Sequence, residues 1–229
     1  MNTAADREKE RSEYRFTTQS IKLSAKLEHI ILPFDVNILN QVLQNLKYYS
    51  VEQPPKVLAG LEIVPAGIAR KEDLVVDFNN EKQVLGISGN NYDRIMDAFS
   101  ELMTTLTYAV QPKELKTLFY ETLTSAIIKG KENPLKVFSS KSQGFMESLG
   151  FDKLFEEEVS PLGIRLSPSN RDVDHTDWFE YRIEPYLYRQ TQLYFVTYVY
   201  RNHDLKKVNR AIYNFQDLSR GVISVLENP

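Results

Sequence analysis

The sequence predicts an α+β fold: two similar β-α-β-β-(β)-α halves, with an antiparallel sheet and helices packed on one of its faces. Three observations predict it. Strand-length runs alternate apolar and polar residues at period two. Longer segments carry apolar residues at spacings of three and four. The same order of elements occurs twice, over residues 14–110 and again over 111–229.

The charged residues 1–13 read as a solvated, disordered tail, because Asp6, Glu8, Glu10 and Glu13 cancel Arg7, Lys9 and Arg11. Residues 14–32 form the first strand, with Ile21, Leu23, Ala25 and Leu27 on one face. Pro33 ends it and Asp35 caps a helix over 36–49, whose inner face is Val36, Leu39, Val42, Leu43 and Leu46. Gln53-Pro54-Pro55 breaks the chain. The run at 57–64, closed by Pro65, predicts a strand, and so does 73–78. Residues 79–82 form a hairpin turn, and 84–88 the return strand. Gly89, Asn90 and Asn91 turn the chain into a helix with Tyr92, Ile95, Met96, Phe99, Leu102, Met103 and Leu106 in its stripe.

The second half opens with a long strand at 116–129. Asn133 caps the next helix and Pro134 takes its first position. That helix carries Leu135, Phe138, Phe145, Met146 and Leu149. Its middle, SSKSQG, has poor helix formers and predicts a weak point. A strand at 161–168 ends at Pro168. Residues 178–189 and 192–201 make a hairpin, and Asn202 or Asp204 caps a last helix with Leu205, Val208, Ile212, Phe215 and Val222 inward. GLEIVP at 60–65 lines up with GIRLSP at 163–168, which supports an internal duplication.

The stretch VDFNNEKQVLGISGNNYDRIM at 76–96 has a strand ending in Phe78 and a polar turn, Asn79-Asn80, with Lys82. A return strand with Val84, then Gly89 and the helix from Tyr92, complete it. Set in a repeated unit, this series resembles the TATA-box-binding protein family. The resemblance implies a saddle whose concave sheet binds the DNA minor groove, with phenylalanine wedges. Phe78, Lys82 and Val84 would then face the groove. The chain departs from that family in charge, which is −3 with a pI near 5.7, and the acidic balance weighs against nucleic acid. The turn of the second half holds Arg189-Gln190-Thr191-Gln192 instead.

The second hairpin offers the largest candidate surface. Trp178, Arg182, Tyr186 and Tyr188 share one face of its first strand with Glu180 and Glu184. Tyr194, Tyr198 and Tyr200 share one face of its second strand. Taken together these form a Tyr-rich face, and three readings stay open. Cross-strand tyrosine pairs stabilise a half-exposed sheet. A protein partner or a second copy docks there, since Tyr, Trp and Arg suit interfaces. Or bases stack on the rings, against the repulsion of Glu180 and Glu184. The expected partner is therefore a protein or another copy of this chain.

The remaining signals are thin. Asp172, Asp174, His175 and Asp177 cluster in DVDHTD, which reads as an acidic turn or a metal site lacking the glycine and terminal glutamate of a calcium loop. The other histidines, His29 and His203, stand far apart. No phosphate loop, dinucleotide fingerprint or HExxH motif occurs, so no cofactor is expected. With 0 cysteines there is no disulfide or thiol nucleophile. No signal peptide or bilayer-length apolar run is present, so a cytoplasmic chain without membrane contact is expected.

Overall fold

The computed structural model describes residues 14–28, 36–51, 66–79, 82–110, 115–149, 155, 157, 159–169, 176–187 and 192–228. The described elements follow in order: β1 (Arg15–Leu27), α1 (Val36–Asn45), β2 (Tyr49–Val51), β3 (Ala66–Lys71), β4 (Leu74–Asn79), β5 (Val84–Gly89) and α2 (Tyr92–Ala109). The second half continues with β6 (Thr117–Lys129), α3 (Pro134–Leu149), β7 (Ile164–Leu166), β8 (Trp178–Pro185), β9 (Leu193–Asn202) and α4 (Leu205–Glu227).

All nine described strands join one antiparallel sheet in the order β2-β3-β4-β5-β1-β6-β9-β8-β7. The two long strands β1 and β6 pair at its centre, with Ile21 opposite Thr124 and Leu23 opposite Thr122. Outward from that seam the halves read β1-β5-β4-β3-β2 and β6-β9-β8-β7. They are similar, and the second stops one strand short among the described residues.

Side chains facing the helices form two packed groups. Leu23, Ala25, Leu85, Ile87 and Val76 meet Leu39, Val42 and Leu43 of α1 and Ile95, Phe99, Leu102 and Leu106 of α2. Ala126, Ile128, Ile183, Val196 and Tyr194 meet Phe138 of α3 and Phe215 and Ile223 of α4. α4 also sends Val208 and Ile212 into the first group, so one helix ties the halves together through apolar contact. A bulge between Thr18 and Ser20 reverses the facing of β1 beyond it. Phe16 thereby reaches the helix side, where its ring meets Phe215 edge-on at 5.6 Å.

The helix starts follow their capping residues. Asn91 accepts from the Arg94 N–H at 3.1 Å, and Asp204 from the Lys206 N–H at 2.8 Å. Asn133 accepts from the Leu135 N–H at 3.0 Å, ahead of Pro134.

Several expectations need correction. The first helix ends at Asn45, not 49. Lys47 takes φ 63, and the Tyr48 N–H returns to the Leu43 carbonyl at 2.8 Å, a Schellman turn that frees the chain to become β2. β3 was not anticipated: in AGIARK only Ile68 is a branched apolar residue, so period two leaves no trace. In the sheet, β7 takes the place in its half that β3 takes in the other. GLEIVP at 60–65, the stretch set against GIRLSP, and the strand expected at 57–64 lie outside the described residues. α3 runs unbroken through SSKSQG, where Ser142 bonds back to the Phe138 carbonyl at 2.7 Å.

Candidate interaction surface

The helices pack on one side of the sheet. Among the described residues no element covers the other side. Cross-strand register defines what that open face carries. One row runs Ser24, Glu121, Arg201, Trp178. The next runs Ser88, Lys22, Leu123, Val199, Glu180. The third runs Ser20, Ser125, Thr197, Arg182, and beyond it Thr17, Ile127, Phe195 and Glu184 align.

Leu123 with Val199 and Ile127 with Phe195 make a two-part apolar patch in the middle of this face, with Ser125 and Thr197 in the row between the two pairs. Leu123 is 42% exposed, although it lies on a central strand. Charges of both signs surround the patch and pair with each other. Lys22 reaches Asp77 at 2.6 Å. Arg201 places Nε and Nη2 on one oxygen of Glu121, at 2.9 and 2.7 Å. Arg165 pairs with Glu180, and Arg182 stands 3.9 Å from Glu184. The Arg201 guanidinium lies between two rings, 4.3 Å from the centroid of Phe119 and 5.5 Å from that of Trp178. This sandwich holds a planar cation fixed at the edge of the patch.

The structure divides the residues expected on a Tyr-rich face. Trp178 and Arg182 do lie on the open face. Tyr186 follows β8, with its ring 6.3 Å from Phe195. Tyr188 lies outside the described residues. Tyr194 and Tyr198 are on the opposite side, buried under the helices at 0% and 8% exposure. The cause is register. Tyr198 pairs with Tyr181, and Tyr194 with Pro185, so they share a face with the core side of β8. Alternation shows that each strand has two faces; only the hairpin register shows which faces coincide. Tyr198 stacks on Phe215, centroids 6.0 Å apart and planes 4° from parallel.

Burial in this core alters the tyrosine hydroxyls. Tyr198 is pushed up to about 12, by burial first and then by Tyr200. Tyr181 is raised well above its ordinary value by burial. Tyr194 is raised by burial and next by the charge of Glu227. All three stay neutral in the folded protein at ordinary pH, consistent with core packing rather than surface chemistry.

The residues named for a groove-binding face do not converge either. Phe78 packs against the first core group, on the side of Leu74 and Val76. Val84 pairs with Asn79 and Lys26 on the open side. Lys82 sits in the exposed turn, where its N–H donates to Asn79 Oδ1 at 2.8 Å and its carbonyl accepts from Lys26 Nζ. Phe78 and Val84 thus face opposite ways, because Phe78 pairs with Leu85 and Asn79 with Val84. Asp172, Asp174 and His175 lie outside the described residues, as does His29; His203 is exposed before α4.

The patch residues Leu123, Phe195 and Val199 were not anticipated as surface. Alternation sets Leu193, Phe195 and Val199 on the face of β9 opposite the tyrosines, and it is the tyrosine face that turns to the core. The available signal was the tyrosine pair Tyr181 and Tyr198, whose matching sizes fit one shared layer.

No family model matches this chain, and no curated protein matches it. Among solved structures it is similar to one described as Methanococcus jannaschii TBP. That likeness has 12% identity and a TM-score of 0.37, and covers 89% of this chain and 97% of that one. The α+β fold itself rests on the strand order and helix packing described above. No helix among the described residues is long and apolar enough to cross a membrane.

Proposed function

We propose that this chain is a non-enzymatic interaction module that docks a protein surface, and first of all a second copy of itself, on the open face of its sheet. The observation that supports this is the apolar patch of Leu123, Val199, Ile127 and Phe195, ringed by paired charges of both signs. An apolar centre with a polar rim is the arrangement of protein interfaces. Trp178 and Arg201 at its edge are the residue types that anchor them.

Interleaved charge suits a protein partner better than a polyanion. A nucleic acid gains affinity from cations whose counterions it can release. Here Lys22, Arg201, Arg165 and Arg182 each stand beside a carboxylate, and phosphates would meet those carboxylates too. A surface carrying both signs is also able to complement itself about a two-fold axis.

Sedimentation velocity over a range of protein concentration tests the proposal. The wild-type chain should pass from monomer to dimer. Leu123→Arg should remain monomeric with an unchanged thermal midpoint, because Leu123 is already partly in water. A wild-type chain that stays monomeric throughout, or a Leu123→Arg variant that dimerises normally, contradicts it.

A further inference from the structure

The open face is self-complementary about the line between β6 and β9. Each register row takes one residue from β1, β6, β9 and β8, in that order. Across the line, Glu121 corresponds to Arg201, Leu123 to Val199, Ser125 to Thr197 and Ile127 to Phe195. One strand further out, Lys22 on β1 corresponds to Glu180 on β8, and Ser20 to Arg182. In these rows each apolar residue answers an apolar one, and no charge answers a charge of its own sign.

We propose that two copies dock face to face about a two-fold axis that runs along the strands, between β6 and β9. This rests on the self-docking reading above and adds the arrangement of the two copies. Such an axis keeps each row level and exchanges its two sides, so β6 of one copy lies over β9 of the other. Leu123 then meets the partner's Val199, and Ile127 the partner's Phe195. Lys22 meets the partner's Glu180. Stacked sheets keep their strand directions within about 30° of each other, a skew that the long charged side chains can follow.

A second observation sits close to the axis. Arg201 places both Nε and Nη2 on Oε2 of Glu121. Among the described residues nothing donates to Glu121 Oε1, and Arg201 Nη1 has no acceptor. About this axis, Oε1 of each copy turns to Nη1 of the other, and the two ion pairs close into a ring of four alternating charges. Phe119 and Trp178 already hold the guanidinium in place, so little freedom is lost on docking.

The other way to lay the patch on itself is an axis across the strands, through the row of Ser125 and Thr197. It sets Arg182 against the partner's Arg182 and Glu180 against the partner's Glu184. Like charges facing each other across an interface are unfavourable, which favours the lengthwise axis.

Ser20 separates the two arrangements. It is exposed and uncharged, so changing it breaks no ion pair. About the lengthwise axis, Ser20→Glu meets the partner's Arg182 and should tighten the dimer by about three- to tenfold. Ser20→Lys should loosen it by a similar factor. About the crosswise axis, residue 20 meets its own copy and both variants loosen it. Sedimentation velocity reads the sign. Cross-linking gives an independent check, since the chain has 0 cysteines. A Leu123→Cys chain mixed with a Val199→Cys chain should form a disulfide-linked dimer under mild oxidation, faster than either chain alone. A wild-type dimer that Ser20→Glu loosens, or whose mixed cysteine variants do not cross-link, overturns the axis and leaves self-docking standing. A wild-type chain that stays monomeric removes both.

Discussion

The hydroxyl of Tyr194 donates to the carboxylate of Glu227 at 3.0 Å, joining β9 to the end of α4. The same carboxylate accepts the backbone N–H groups of Lys131 and Glu132, at 3.1 Å each. Three donors from two segments thus close on the last helical residue. Tyr194 is fully buried, so its hydroxyl has no water to fall back on. Glu227→Ala should destabilise the fold by about 1–3 kcal/mol, the cost of leaving such donors unmet. Glu227→Gln keeps an acceptor oxygen and should cost less. Urea unfolding of both variants checks the order.

Buried tyrosines predict a loss of stability in alkali. Tyr181, Tyr194 and Tyr198 all hold their protons in the folded state more tightly than the ordinary tyrosine value of 10.0. Above that pH the unfolded chain sheds protons that the folded chain keeps, so unfolding is favoured. Their contribution is complete below about pH 10 and is lost as pH rises through the folded values, which for Tyr198 is about 12. Urea midpoints measured from neutral pH upward should hold level and then fall beyond that point. Tyrosinate absorbance should appear together with unfolding for these three residues, and a midpoint that rises above pH 10 would contradict the assignment.

Two glycines should respond oppositely to alanine. A Cβ on Gly130 would stand 2.2 Å from a Glu227 carboxylate oxygen and 2.5 Å from the Tyr194 ring. Gly130→Ala should therefore push the Tyr194–Glu227 contact apart and cost about 1–3 kcal/mol. A Cβ on Gly144, inside α3, meets nothing within 4 Å. Gly144→Ala should stabilise by about 0.5–1 kcal/mol through reduced freedom of the unfolded chain. Thermal melts of the pair give the two signs.

Lys47 closes α1 at φ 63, a conformation that costs a side-chain-bearing residue about 1–2 kcal/mol. Its side chain is exposed. Lys47→Gly should raise stability by about 1 kcal/mol, read as a shift in urea midpoint with an unchanged slope. Lys47→Val should lower it.

The ends of elements were legible where a side chain does the capping. Asn91, Asn133 and Asp204 each precede an apolar stripe and each caps in the structure. β3 was not legible, because Ala66, Gly67 and Ala69 leave no alternation to read. The facing of β9 was not legible either, since it depends on how the chain turns between Tyr186 and Leu193. At the centre of the sheet the apolar–polar code is inverted locally. Thr122 and Thr124 are fully buried, their hydroxyls donating to the carbonyls of Lys22 at 3.0 Å and Tyr198 at 3.2 Å. Leu123 between them points out. Satisfied threonines can occupy a core position, and a pattern of residue types alone assigns them to the surface.

The most direct test of the open face as a self-docking surface uses the absence of native cysteine. Thr197, at the centre of that face between Ser125 and Arg182, can be changed to cysteine and spin-labelled. Tyr213, 76% exposed on α4, provides the control position. Pulsed electron paramagnetic resonance then reads distances between copies. A close inter-label distance from Thr197→Cys, and none from Tyr213→Cys, is the predicted result. No coupling from Thr197→Cys, or close coupling from Tyr213→Cys alone, would contradict the account.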